Sequence, residues 1–278
     1  MQAADRVSSS GIQVFCDKEP VVFDDPETPV PHEWHWKAEF TPENREKIES
    51  WIRELSLGAQ ITLGIYPFTM HIHIYDRDDL DEPVPWAHTW RYPEQSLHFY
   101  VDADFSLKDF LADWTAPHEI SHLSIPYLGE SNSWFAEGYA SFMQYQVMKT
   151  MGILSEEEIQ GKYQQKINMV KPYYLSSEDL VNRARQLGKN KQFPAMYWGS
   201  SAYFLILDRI LKESYNTDLC GIVRKYQDSG RLKDGSLKAV LHSWDALIGE
   251  PVCQLLLDRV KKDPAIEIIE EASYLIAK

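Results

Sequence analysis

Apolar and polar residues alternate in two early stretches, Gln60-Ile-Thr-Leu-Gly-Ile65 and Met70-His-Ile-His-Ile-Tyr75. A period of two predicts strands that turn one face to a core. Runs at Ile12-Gln-Val-Phe-Cys16, Trp86-Ala-His-Thr-Trp-Arg-Tyr92 and Leu97-His-Phe-Tyr-Val101 extend this to a sheet of four or five strands, expected to be mostly antiparallel. Ahead of the sheet, Thr41-Pro42 with Glu43 and Glu46 supplies a cap, a proline at the first helical position and early acids. That predicts a helix to about Leu57, with Gly58 as its stop. From about Ser106 the period becomes helical, with candidate helices at 107–124, 132–150, 155–170, 177–187, 197–213, 217–228, 236–247 and 250–261.

The order of elements is therefore sheet first, helices after. No repeat, low-complexity run or Gly/Ser linker separates autonomous units. The expected class is α+β, with a polar tail at 1–10, a β-rich half at 11–105 and a helical half at 106–278, the two halves enclosing a cleft.

Composition narrows the partners. The 278 residues carry 28 Lys plus Arg against 42 Asp plus Glu, a formal net charge of −14. Such a surface repels phosphate backbones, and no basic cluster offsets it, which argues against nucleic acid. With 44% hydrophobic residues the chain can bury a core, yet no apolar run approaches the roughly 18 residues of a bilayer span. No membrane association is expected. The first ten residues contain no apolar signal region, so a cytoplasmic location is expected, or a periplasmic or secreted one if a signal has been removed. Cys16, Cys220 and Cys253 lack the spacing of a disulfide framework or a cysteine metal site.

The segment that carries chemistry is Ala116-Pro-His118-Glu119-Ile-Ser-His122. On a helix, residues four apart share a face about 6 Å apart along the axis, so both imidazoles can address one metal ion. Glu119, next to the first ligand in sequence, points elsewhere and stands beside the metal as a general base for water. A third ligand is expected from Glu137 in Asn132-Ser-Trp-Phe-Ala-Glu137-Gly-Tyr-Ala-Ser-Phe142, with fourteen residues between it and His122. Pro126 and Gly129 end the first helix and turn the chain, while Ser131–Ser133 offer caps for a second. Two histidines and a carboxylate suit one Zn²⁺ with an open position.

These motifs resemble the gluzincin zinc peptidases, particularly the aminopeptidase-N-like and glycyl-aminopeptidase-like groups, which pair HExxH with W-x-x-E-G-[FY]. Here the second motif reads Trp134-Phe-Ala-Glu137-Gly-Tyr139. The likeness extends to Met196-Tyr197-Trp-Gly-Ser-Ser, similar to the helix that supplies a transition-state tyrosine in those families, and covers roughly 97–210. The resemblance implies a thermolysin-like zincin domain, a peptide or protein substrate, and an oxyanion hydrogen bond from Tyr197. The chain has no Gly-x-Met-Glu-Asn stretch, the family's α-amine-binding segment, so aminopeptidase and endopeptidase action both stay open. Two alternatives accompany this reading: a zinc-fold binding module without turnover, and a zinc hydrolase of a non-peptide substrate.

Other candidates receive structural readings. His71 and His73 alternate on one strand face, His32 and His35 flank Glu33 in a surface loop, and Asp76–Glu82 is a solvated acidic turn. Asp208 is a helix-surface acid or an outer partner of a ligating histidine. An extended peptide is expected to add along Trp86–Tyr92 as a strand at the sheet edge.

Overall fold

The computed structural model describes residues 30–77, 81–232 and 235–277. The tail at 1–10 and the expected strand at 12–16 lie outside them. His32 and Glu33 open strand β1 (His32–Trp36), so the expected surface loop is a strand. It leads into helix α1 (Pro42–Leu63), capped by Thr41, whose side chain accepts from the Asn44 amide. This helix runs on through Gly58 and takes in most of the segment expected as the strand 60–65. The reason is its buried stripe: Ile48, Ile52, Leu55, Ala59 and Leu63 continue at helical spacing across the glycine. Gly58 serves close packing, because a Cβ there would lie 2.4 Å from Met151 Cγ. The helix stops at Gly64, where φ is 92°, a conformation that glycine adopts without strain.

The sheet continues with β2 (Met70–Asp76), β3 (Trp86–Trp90) and β4 (Ser96–Val101), in the order β1-β2-β4-β3. Only β3 and β4 pair antiparallel; β1 with β2 and β2 with β4 are parallel. The sheet is mixed, contrary to the antiparallel expectation, and the connections explain it. α1 crosses over between β1 and β2, which makes them parallel. After β2 the chain skips one position to lay β3 at the edge, then turns back with β4 into the gap. Ile72, Ile74, Leu97 and Phe99 are fully buried on one face, where the Trp51 ring lies 5.1 Å from that of Phe99. The opposite face carries His71, His73, Tyr75, His98 and His88.

The helical half begins with α2 (Leu107–Ala112) and α3 (Thr115–His122), two helices where the periodicity predicts one. Asp113 between them is extended, and its carboxylate accepts the Thr115 amide at 2.7 Å, which starts the second helix in a new direction. A short 3-10 turn at Glu130–Asn132 precedes α4 (Ser133–Thr150). Then follow α5 (Glu156–Val170), α6 (Leu180–Lys189), α7 (Phe193–Ser214), α8 (Leu219–Asp228), α9 (Leu237–Ile248) and α10 (Val252–Val260). A final helix, α11 (Ala265–Ile276), buries Ala265, Ile268, Ile269 and Ala272 and lies beyond the helices expected from the sequence. α4 and α7 pack together extensively, and Gly138 permits it: a Cβ there would meet the Ser200 backbone at 2.7 Å. Among the described residues no helix is long and apolar enough to cross a membrane.

Candidate metal centre

A short helix leaves its last four carbonyls without intrahelical partners; in α3 the amides of Leu123, Ser124 and Ile125 close three of them locally, and side chains from elsewhere in the fold add to these. The Thr89 hydroxyl of β3 lies 2.8 Å from the Glu119 carbonyl, Tyr66 donates to that of Ile120 at 3.1 Å, Ser124 to that of Ser121 at 2.7 Å, and Arg91 to that of His122 at 3.2 Å. Just beyond, Gln227 and Arg231 donate to the carbonyls of Ser124 and Ile125. The helix that carries both histidines is thus anchored at its end by side chains from three other parts of the fold.

His118 and His122 are both buried, with rings 5.0 Å apart and nearly perpendicular. From α4, Glu137 brings one oxygen, Oε2, to 3.2 Å from His118 Nε2 and 3.5 Å from His122 Nε2. For metal bonds of about 2.05 Å, ligand atoms in a tetrahedron stand roughly 3.3 Å apart, so the donor set fits a divalent cation. His118 Nδ1 faces Gln144 Oε1 at 2.9 Å. Gln144 Oε1 accepts there, which places a proton on Nδ1 and makes Nε2 the ring atom that would ligate a metal in place of its contact with Glu137. Burial disfavours a charged carboxylate at Glu137, but the two facing histidines prevail and hold its pKa well below the usual range.

Glu119 is a neighbour of this donor set and not a member of it. Its Oε2 lies 2.7 Å from the Thr89 hydroxyl, in the lining of a cleft of about 370 Å³. Trp86 and Thr89 of β3, Trp114, His118, His122, Glu137 and Tyr197 also line this cleft. Tyr197, in the first turns of α7, stacks 5.9 Å from the His118 ring. Burial, then the charges of Glu137 and Glu119, push its phenol well above the ordinary range, so it stays a neutral donor.

The structure therefore brings the five sequence-selected residues to one cleft. Asp208 is committed elsewhere: it accepts the Leu219 amide at 2.9 Å and pairs with Lys212 at 2.8 Å. Sequence reasoning missed Thr89, Arg91 and Gln144. The spacing of Gln144, two helical turns beyond Glu137, is the one signal that was available for any of them.

No family model and no curated protein matches this chain. Solved structures do. An M1 zinc metallopeptidase from Deinococcus radiodurans, in a mutant form bound to a Tyr-Ser-Ala substrate, matches with a TM-score of 0.51 at 13% identity, over 91% of this chain and 50% of that one. A second structure of an M1 zinc metallopeptidase from the same organism gives 0.51 and 13% over 84% and 48%. This chain spans about half the length of these proteins and shares with them the fold of that portion.

Proposed function

We propose that this chain is a zinc-dependent peptidase whose metal is held by His118, His122 and Glu137. The observation that carries the proposal is the meeting of two imidazole nitrogens with one carboxylate oxygen, 3.2 and 3.5 Å from it, in the lining of a cleft that also holds a separate carboxylate. The neighbours' M1 fold supports the same reading. Zinc would supply a Lewis acid that acidifies water and polarises a carbonyl.

The protein's own groups do the rest. Glu119 takes a proton from the attacking water and passes it to the leaving amine. Thr89 serves both states of that carboxylate: its one hydroxyl proton goes to the ionised carboxylate, and when Glu119 is protonated the hydroxyl accepts from it and turns that proton to the Glu119 carbonyl. Tyr197 donates to the carbonyl oxygen as negative charge develops there. The substrate backbone lies along β3, an edge strand in the observed order, with exposed Trp86 and Trp114 as apolar walls beside it.

Mass-spectrometric profiling of an unbiased peptide mixture, with zinc-loaded protein and its Glu119→Gln variant side by side, tests this. Cuts made by the first alone are expected, and their positions separate N-terminal trimming from internal cleavage. Absence of any cut by the zinc-loaded wild type refutes a peptidase.

A further inference from the structure

The open face of the sheet carries a second group of ligand-type side chains, well separated in sequence from α3 and α4. In the parallel β1–β2 pair, Glu33 stands opposite His71 and His35 opposite His73. Because alternate residues of a strand share a face, this register places Glu33, His35 and His71 together on the solvent side. His35 Nε2 lies 3.2 Å from His71 Nδ1 and 3.5 Å from Glu33 Oε1, and His71 Nδ1 lies 3.7 Å from Glu33 Oε2. Glu94, in the turn between β3 and β4, brings a further oxygen to 3.6 Å from His71 Nδ1. That turn is tied to β2 by the His71 amide, which donates to the Gln95 carbonyl at 3.0 Å.

The histidines here are held in place. His35 stacks on His73 at 4.3 Å, His73 on His98 at 4.1 Å and His98 on His88 at 4.5 Å, with interplanar angles of 11°, 7° and 10°. This row of four imidazoles, one from each strand, fixes the plane of the His35 ring and leaves its Nε2 edge directed at His71 and Glu33. Exposed Glu33 and Glu94, with side-chain exposures of 57% and 60%, leave the point open to exchange with solvent.

We propose that Glu33, His35, His71 and Glu94 form a second divalent-metal site on the outer face of the sheet. The spacings match the roughly 3.3 Å expected between ligands of a four-coordinate ion. Two nitrogen and two oxygen donors select zinc or a neighbouring transition ion over calcium or magnesium, which prefer shells of oxygen. An ion there ties edge strand β1 to β2 and to the β3–β4 turn. It has no part in hydrolysis.

The test is the number of zinc ions retained per untagged full-length chain after chelation, reloading and dialysis, together with the thermal midpoint with and without zinc. The wild type is expected to hold two. His35→Asn with His71→Asn is expected to hold one and to keep its hydrolytic activity. Glu33→Gln with Glu94→Gln, which leaves the imidazole row intact, is expected to bind the second ion at least tenfold more weakly and to lose part of the zinc-dependent rise in midpoint. His118→Asn with His122→Asn is expected to keep one ion, on the sheet. A wild type holding a single ion that vanishes with the His118 and His122 substitutions overturns the second site, leaving the His35–His71 contact as a plain hydrogen bond. Conversely, an ion lost only with the sheet substitutions upholds this site and refutes zinc binding by His118 and His122.

Discussion

The hydroxyl of Thr89, on the edge strand, lies 2.8 Å from the backbone carbonyl of Glu119 and 2.7 Å from its carboxylate. One side chain thus fixes both the end of the α3 helix and the orientation of the acid it carries. Thr89→Val keeps the shape and removes the hydrogen bonds. A loss of about 1–1.5 kcal/mol of orientation corresponds to a fall in kcat of roughly tenfold, with unchanged zinc content, and Thr89→Ser restores most of it. Steady-state kinetics with metal analysis on the three proteins check this.

Gln144 holds the far nitrogen of His118 at 2.9 Å. Replacing it with leucine leaves that buried nitrogen unpartnered and the ring free to turn, so zinc affinity should weaken by about 10–100-fold. Competition against a chelator of known affinity measures the change. Helical content by circular dichroism should be unaltered.

Gly138 follows Glu137 and packs on the Ser200 backbone, which cannot swing aside as a side chain would. Gly138→Ala should therefore force α4 and α7 apart and destabilise the protein by roughly 1–3 kcal/mol, despite alanine's better helix propensity. Urea denaturation reads the loss directly. Gly161, exposed on helix α5 with open space around its Cβ position, is the control: alanine there should be neutral or stabilising.

Asp113, at the break between α2 and α3, has its pKa raised to about 6, chiefly by burial, with the Thr115 hydrogen bonds opposing and Glu82 adding to the rise. Its unfolded value is near ~3.9. The folded chain therefore holds this proton more tightly, and the stability it contributes is complete below the unfolded value and lost as pH rises through about 6. Asp113→Asn keeps the acceptor for the Thr115 amide and removes the titration. Between pH 4 and 6.5 the wild type should lose on the order of 2 kcal/mol relative to this variant, measured as the difference between their denaturation curves.

Residue spacing carries local geometry and little else, and the molecule divides along that line. The four-residue interval from His118 to His122 and the helix start ahead of Glu137 are local facts, so the sequence places these residues correctly on α3 and α4. Thr89 and Gln144 act across 30 and 26 residues; helical spacing puts Gln144 on the face of α4 that carries Glu137, but no local pattern names His118 as its partner or marks Thr89 at all. Gln60–Ile65 shows the limit of periodicity itself: its alternation matches a strand, yet Leu63 also falls in register with Leu55 and Ala59 on α1. Packing on α4, where Thr62 meets Thr150 at 2.8 Å, decides for the helix. The parallel pairings depend on where the chain crosses over, which strand composition does not record.

The most direct test of a zinc peptidase at this site is the rate of peptide cleavage as zinc is returned stepwise to chelator-stripped protein, with metal content followed in the same samples. Activity should vanish with the metal and return in proportion to it in the wild type, while Glu119→Gln takes up the same zinc and stays inactive. Cleavage that survives metal removal, or that Glu119→Gln retains, contradicts the account.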